Sequence, residues 1–273
     1  MRKEQELITP DDIVQADAGG VPLLLRAPSR RRRGGLVIAF DPSPPEGREA
    51  FARALPFPSV GAWKAYLGLP LVGYRQPHGG VEEITRRQRS DYLLQLLDPA
   101  LSDAVRDLAV VVSDLRKRLD LAPDAPLGLF GFSAGGLAAL LALADRPIPI
   151  AAAVIVGAGP DAEAAVAAAE RAFGITYQWT PAARVCAARL DFPARASNIA
   201  RGTPALLVIR GADDEAVPAT GIDRLHAALR PNYIHAPDRL RFETLTGIGH
   251  GLDELGKVAA LADDWLSEHL TDW

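Results

Sequence analysis

The sequence predicts an α/β fold, with a mostly parallel central sheet and helices on both faces. Two observations predict it. Short apolar runs rich in β-branched residues alternate along the chain with longer segments whose apolar residues recur at helical spacing. Several of those runs are apolar throughout, which is typical of strands covered on both sides in a parallel sheet. The chain has 273 residues, 48% of them hydrophobic, and no polar linker or repeat divides it, so we expect one domain, 1–273.

The first part of the chain carries three expected strands. Residues 21–26 form the first, and Pro22 fits near its start because proline donates no backbone hydrogen bond. The run 36–40 is apolar throughout and predicts an inner parallel strand, followed by a helix over 46–55. Residues 69–74 predict the next strand.

Helices and strands alternate through the rest of the chain. Residues 81–119 form a long amphipathic helical segment, interrupted at Pro99. The remaining expected strands are 127–130, 150–157, 203–210 and 240–245, and the remaining expected helices are 137–144, 162–172, 221–229 and 258–269.

The balance of charge argues against a nucleic-acid partner. The formal net charge is −4, so no overall positive field attracts phosphates. The arginine run at 30–33 is expected to be a solvated loop between two early strands, with a basic recognition patch as the alternative.

Cysteine usage and motif content indicate no cofactor and no metal. Cys186 is the only cysteine, which excludes an internal disulfide and a cysteine-based metal site, and we expect it to be buried. No metal-ligand spacing or phosphate-binding glycine loop is evident. Residues 1–9 lack the apolar core of a signal peptide and no segment is apolar for long enough to cross a bilayer, so we expect a soluble, cytoplasmic protein.

The most informative stretch is Gly131-Phe132-Ser133-Ala134-Gly135, between an apolar strand and a helix rich in alanine and leucine. A serine on so tight a turn has a strained backbone, and the flanking glycines let strand and helix pack closely around it. The helix N-terminus beneath the serine can stabilise a developing negative charge. An ordinary turn is the alternative, because small residues are common in turns.

In this strand–turn–helix the sequence resembles the α/β-hydrolase superfamily, in its serine esterase and dienelactone-hydrolase-like branch. The resemblance implies that Ser133 is the nucleophile and that an acid follows a later strand. Residues 211–218 match the superfamily's Gly-x-x-Asp-x-x-Val-Pro pattern at Asp214, whereas Asp213 and Glu215 fit less well. A solvated acidic turn is the alternative.

His250 resembles the superfamily's catalytic histidine. It follows strand 240–245 in the glycine-rich loop 247–251, where the backbone can bring an imidazole close to the serine. The order Ser133, Asp214, His250 matches the superfamily's order of nucleophile, acid and histidine.

Acyl transfer also needs N–H donors aimed at the developing oxyanion. The resemblance implies Ala134, the residue after the nucleophile, as one donor. The second is implied in the loop after an early strand, where Asp41-Pro42 stands in place of the His-Gly of many relatives. Proline has no N–H, so the backbone of Ser43 is the expected donor, with Phe40 or Asp41 as alternatives.

Aromatic side chains are the candidates for substrate contacts. Relatives commonly insert a cap, which implies a small cap insertion around residues 160–200. Trp179 in this segment, Trp63 in an earlier stretch and Phe132 beside the nucleophile are the expected substrate-binding residues. Ordinary packing is the alternative role for the tryptophans.

The resemblance implies a serine hydrolase that cleaves carboxylic esters through an acyl-enzyme. Its expected substrate is a small-molecule ester or thioester, with no cofactor and no membrane partner. A thioesterase or a small peptidase is the alternative within this fold. A non-hydrolytic binding protein or a cyclase is the alternative outside hydrolysis. The sequence indicates no oligomeric state.

Overall fold

The structure, a computed structural model, describes residues 9–29, 34–44 and 47–270. The arginine run at 30–33 lies outside the described residues. The strands are β1 (Val14–Ala18), β2 (Val21–Arg26), β3 (Leu36–Asp41), β4 (Trp63–Gly68), β5 (Leu127–Phe132), β6 (Ala152–Val156), β7 (Ala205–Gly211) and β8 (Leu240–Leu245).

These eight strands form one sheet in the order β1-β2-β4-β3-β5-β6-β7-β8. β2 runs antiparallel to β1 and to β4, and every pairing from β4 to β8 is parallel. The loops that follow the parallel strands therefore leave from one edge of the sheet, called the carboxyl edge below. Open α/β sheets bind their ligands at this edge.

Helices cover both faces of the sheet, as the sequence predicts. They are α1 (Arg48–Ala54), α2 (Gly80–Asp91), α3 (Asp98–Arg118), α4 (Ala134–Asp145), α5 (Ala162–Phe173), α6 (Pro181–Arg189), α7 (Ala196–Ile199), α8 (Ala219–Leu229) and α9 (Leu255–His269). One face packs against α3, α4, α5 and α8, and the other against α1 and α9. Between β6 and β7 the chain forms α5, α6 and α7, in the region where a cap is expected.

A π-helical turn, Tyr92–Leu97, joins α2 to α3. The helix is thus interrupted just before Pro99, which lies in the first turn of α3 directly after this π-helical turn. π-Helical turns inside regular helices frequently occur at functional sites. This one ends beside the carboxyl edge.

The expected strand at 69–74 is wrong. The strand is β4, Trp63–Gly68, and it is followed by a turn and a short 3₁₀ helix, Gly73–Arg75. The sequence pattern does not reveal β4, because Lys64 interrupts its apolar run. In the structure, however, Lys64 is almost completely buried. Its ammonium donates to the carbonyl of Val60 at 2.9 Å, which compensates for the burial.

No helix among the described residues is both long enough and apolar enough to span a membrane.

Gly135→Ala tests the packing of α4 against β3. A Cβ at Gly135 would lie 2.4 Å from the carbonyl oxygen of Phe40, a backbone atom that cannot rotate away. We expect this overpacking to lower the free energy of unfolding by about 1–3 kcal/mol or more, measured by chemical denaturation. Gly256→Ala in α9 is the control, since a Cβ there meets nothing within 4 Å and should stabilise slightly. Equal losses at both positions would contradict the packing argument.

Candidate active site

Ser133 sits at the turn between β5 and α4 with φ 53° and ψ −120°. A positive φ is unfavourable for any residue with a Cβ, so the surrounding structure must hold it. The Ser133 N–H donates to the carbonyl of Val156 on β6 at 2.9 Å. Its carbonyl accepts the N–H groups of Gly136 and Leu137 at 2.9 and 3.1 Å, which anchors the serine to the first turn of α4.

A hydrogen-bonded chain joins the three residues expected to form the triad. Ser133 Oγ lies 2.9 Å from His250 Nε2, and His250 Nδ1 lies 2.9 Å from Asp214 Oδ2. A carboxylate can only accept at Nδ1, so Nδ1 carries the proton and Nε2 is left to accept the serine proton. The structure thus brings together the three side chains that the sequence motifs single out.

Asp214 differs from the acidic residues beside it in burial and in partners. It is 3% exposed, while Asp213 and Glu215 lie exposed to solvent. Its Oδ1 accepts the N–H groups of Ala216 and Val217 at 2.9 and 3.0 Å, which leaves Oδ2 for the histidine. The carboxylate is therefore held by backbone donors and does not depend on a flexible partner.

The loops that carry the acid and the histidine are bonded to each other. The Asp213 N–H donates to the carbonyl of Ile248 at 3.0 Å, and the Glu254 carboxylate accepts the N–H of Gly249. Phe132 packs on the imidazole of His250, with ring centroids 5.3 Å apart. Phe132 is 5% exposed and does not line the cavity described below, so the structure gives no support to its expected role as a substrate contact; it packs on the imidazole instead.

The expected oxyanion donors differ in availability. Ala134 begins α4, where the first N–H groups of a helix have no intrahelical acceptor, so its N–H is available to a developing oxyanion. The Ser43 N–H instead donates to Asp41 Oδ1 at 2.8 Å, and both residues are almost completely buried. The expectation that Ser43 serves as the second donor is therefore not met in this conformation, because its own neighbour occupies the N–H.

Asp41 carries a buried carboxyl group whose pKa is raised. Burial raises its pKa from 3.8 to about 7 and outweighs the hydrogen bond from Ser43 and the nearby charge of Arg48, which both lower it. Its Oδ2 is buried and has no hydrogen-bond partner among the described residues. A carboxyl in this setting favours its neutral form.

A cavity of about 220 Å³ opens beside Ser133 and His250. Its other walls are almost entirely apolar, and among the described residues no Asp, Glu, Lys or Arg side chain lines it. Tyr92 and Leu97 come from the π-helical turn, and Phe173 ends α5 at the cavity. Phe173 lies among the aromatic residues of the expected cap, whereas nothing in the sequence context of Tyr92 and Leu97 points to the serine.

The two expected tryptophan contacts lie elsewhere. Trp63 is the first residue of β4 and pairs with Leu36 at the amino end of β3, at the sheet edge opposite to Ser133. Trp179 packs edge-on against Tyr177 at 5.1 Å, with the Arg184 guanidinium over its ring, and does not line the cavity. Neither tryptophan therefore lies at this cavity, and both pack against the hydrophobic core.

Comparison with protein families gives one match. Residues 101–272, more than half of the chain and including Ser133, Asp214 and His250, match the model of the prolyl oligopeptidase family. A search of curated protein sequences found no match.

Solved structures share the fold over nearly the whole chain. TT1662 from Thermus thermophilus matches with a TM-score of 0.65 and 19% identity, over 95% of this chain and 98% of that one. Esterase PF2001 from Pyrococcus furiosus matches with a TM-score of 0.62 and 15% identity, over 100% of this chain and 94% of the esterase. Acylaminoacyl peptidase from Pyrococcus horikoshii matches with a TM-score of 0.63 and 12% identity, over 96% of this chain but only 42% of the peptidase. The α/β-hydrolase fold predicted from the sequence is thereby confirmed.

Asp41→Asn tests the buried carboxyl. Between about pH 4 and pH 7 the unfolded chain ionises at this position and the folded chain does not, so the unfolded state binds fewer protons and Asp41 lowers stability as pH rises. Asparagine cannot ionise but keeps an acceptor for Ser43. We expect the variant to gain stability over the unmodified protein across this range, by up to about 4 kcal/mol in urea denaturation. The exposed Asp213→Asn is the control, and a difference independent of pH would contradict the raised pKa.

Proposed function

The chain belongs to the prolyl oligopeptidase family, a family of serine hydrolases, and from that premise we propose that it hydrolyses carboxylic esters through an acyl-enzyme on Ser133. The observation that carries the proposal is the unbroken hydrogen-bonded chain from Ser133 through His250 to Asp214. This arrangement activates a hydroxyl that is otherwise a weak nucleophile.

Acylation follows from the positions of the three side chains. Ser133 Oγ attacks the ester carbonyl carbon as His250 Nε2 takes its proton, and Asp214 stabilises the imidazolium that forms. The Ala134 N–H and the N-terminus of α4 stabilise the negative charge on the carbonyl oxygen. The intermediate then collapses, the carbon–oxygen bond to the alcohol breaks, and the alcohol leaves with the proton from His250.

Deacylation repeats these steps with water. His250 Nε2 takes a proton from the water as it attacks the acyl carbon. The second tetrahedral intermediate expels Ser133 Oγ, which recovers its proton from His250, and a carboxylic acid is released. With water as the second reactant, the atoms and protons of both halves of the reaction balance.

A peptidase is the second candidate, and the family match favours it. Two features support the ester over the peptide. Within the described part of the chain, the cavity offers no charged side chain to a peptide terminus, and burying an unpaired charge is costly. The chain also matches an esterase over nearly its whole length but corresponds to less than half of the acylaminoacyl peptidase.

Substitutions in the triad test the nucleophile and the acid. We expect Ser133→Ala and Asp214→Asn to lower kcat for p-nitrophenyl butyrate by about 10³-fold or more, because the first removes the attacking oxygen and the second removes the acceptor that orients the imidazole. Asp213→Asn, one residue away and exposed, should keep nearly full activity. Retained activity in Ser133→Ala, in a folded protein, would rule out Ser133 as the nucleophile.

A matched pair of substrates separates the two candidate functions. p-Nitrophenyl butyrate and butyryl p-nitroanilide differ only in the bond that is cleaved. We expect turnover of the ester and none detectable of the anilide. Comparable kcat/KM values for the two would favour the peptidase. No turnover of either substrate, together with no labelling of Ser133 by diisopropyl fluorophosphate, would favour a non-hydrolytic role.

A further inference from the structure

Helix α5 contributes a row of alanines to the cavity beside Ser133. Ala165, Ala168, Ala169 and Ala172 all line it, and their spacing of i, i+3, i+4 and i+7 places them on one face of the helix. Tyr92 and Leu97 contribute bulk from the π-helical turn. The alanines leave room that larger side chains would fill.

We propose that this cavity holds the acyl group of the substrate, that the group is short and uncharged, and that the alanine row of α5 sets its maximum length. This inference rests on the proposed function and narrows its substrate class. It makes Ala165 and Ala168 specificity-determining residues.

The size of the cavity argues for a small acyl group. Pockets for drug-sized ligands have volumes of about 300–1,000 Å³, and this cavity of about 220 Å³ lies below that range. Its composition argues for an uncharged group, because a carboxylate or ammonium would lose its hydration and find no opposite charge on the walls that the described residues form.

The alanine wall is fixed at its N-terminal end. Asp161 caps α5 through the N–H of Ala164 at 2.7 Å and forms an ion pair with Arg224 of α8. A limit on chain length requires such a wall, because a helix free to move would adapt to longer substrates.

The end of α5 is tied to the opposite wall. Glu170 accepts the N–H of Tyr177 at 2.7 Å, and the Tyr177 hydroxyl donates to Asp91 Oδ1 at 2.7 Å. The same Asp91 oxygen accepts the N–H of Leu94 at 3.0 Å in the π-helical turn. One carboxylate thus connects both sides of the cavity, which fixes the distance between them.

Ala168→Leu tests the limit on length. We would measure kcat/KM for p-nitrophenyl esters from acetate to decanoate in the unmodified protein, Ala168→Leu and Ala167→Leu. Ala167 lies on the same helix but does not line the cavity. We expect Ala168→Leu to keep acetate hydrolysis and to lose about 10- to 200-fold for each methylene that no longer fits, while Ala167→Leu keeps the original profile. Identical profiles in all three proteins would overturn the proposal.

Phe173→Ala is a second variant that does not depend on tolerance of a larger side chain. Phe173 is 48% exposed at the end of α5, so its truncation should leave the fold intact. Because the substitution opens the cavity, we expect the acyl-chain length with the highest kcat/KM to become longer. An optimum that stays the same or moves toward shorter chains would contradict the assignment of this cavity to the acyl group.

Charge is tested with p-nitrophenyl butyrate and the p-nitrophenyl monoester of succinate, which have the same number of acyl-chain carbons. We expect kcat/KM to be about 10²-fold lower or more for the anionic ester, and equal values would overturn the requirement for an uncharged group. Labelling of Ser133 by diisopropyl fluorophosphate is measured in parallel. An unlabelled serine refutes the proposed function, whereas a labelled serine with an unchanged length profile refutes only this inference.

Discussion

The backbone of Ser133 is held in a conformation that serine rarely adopts, and the geometry of the site depends on the packing that holds it there. Such a conformation costs about 1–3 kcal/mol. A Cβ at Gly131 would lie 2.2 Å from the carbonyl oxygen of Gly135, so β5 and α4 approach more closely than any side chain would allow. Buried residues along α4 offset the cost, because the helix cannot move away from the sheet without exposing them.

The orientation of the histidine is set by backbone groups in the same way. Asp214 uses one oxygen for two backbone N–H groups and the other for His250, so it cannot rotate without losing several bonds. Its loop is bonded to the histidine loop at Ile248. Each of these loops follows a neighbouring parallel strand, β7 or β8. The parallel order of the sheet thus brings residues distant in sequence to one edge, where backbone hydrogen bonds fix their side chains.

The sequence predicted what depends on local pattern and missed what depends on packing between distant segments. The turn at Ser133 and the order of serine, acid and histidine are local motifs on a recognisable alternation of strands and helices. β4 was missed because the apolar pattern gave no sign that Lys64 would be buried and bonded to Val60. The cavity was missed because α5 and the π-helical turn meet only in three dimensions. The spacing of the α5 alanines was its one signal, and a surface helix gives the same spacing.

The occupied N–H of Ser43 bears on which bond this site can break. One oxyanion donor is worth about 10²- to 10³-fold in kcat, so a site in which Ala134 acts without Ser43 stabilises its tetrahedral intermediate less than a complete hole does. Amides need that stabilisation more than esters, since an amine leaves less readily than an alcohol. For Ser43 to donate to substrate, Asp41 must give up its hydrogen bond within a buried loop where its other oxygen already has no partner among the described residues. Because freeing the Ser43 N–H is costly, this arrangement supports an ester substrate over a peptide substrate.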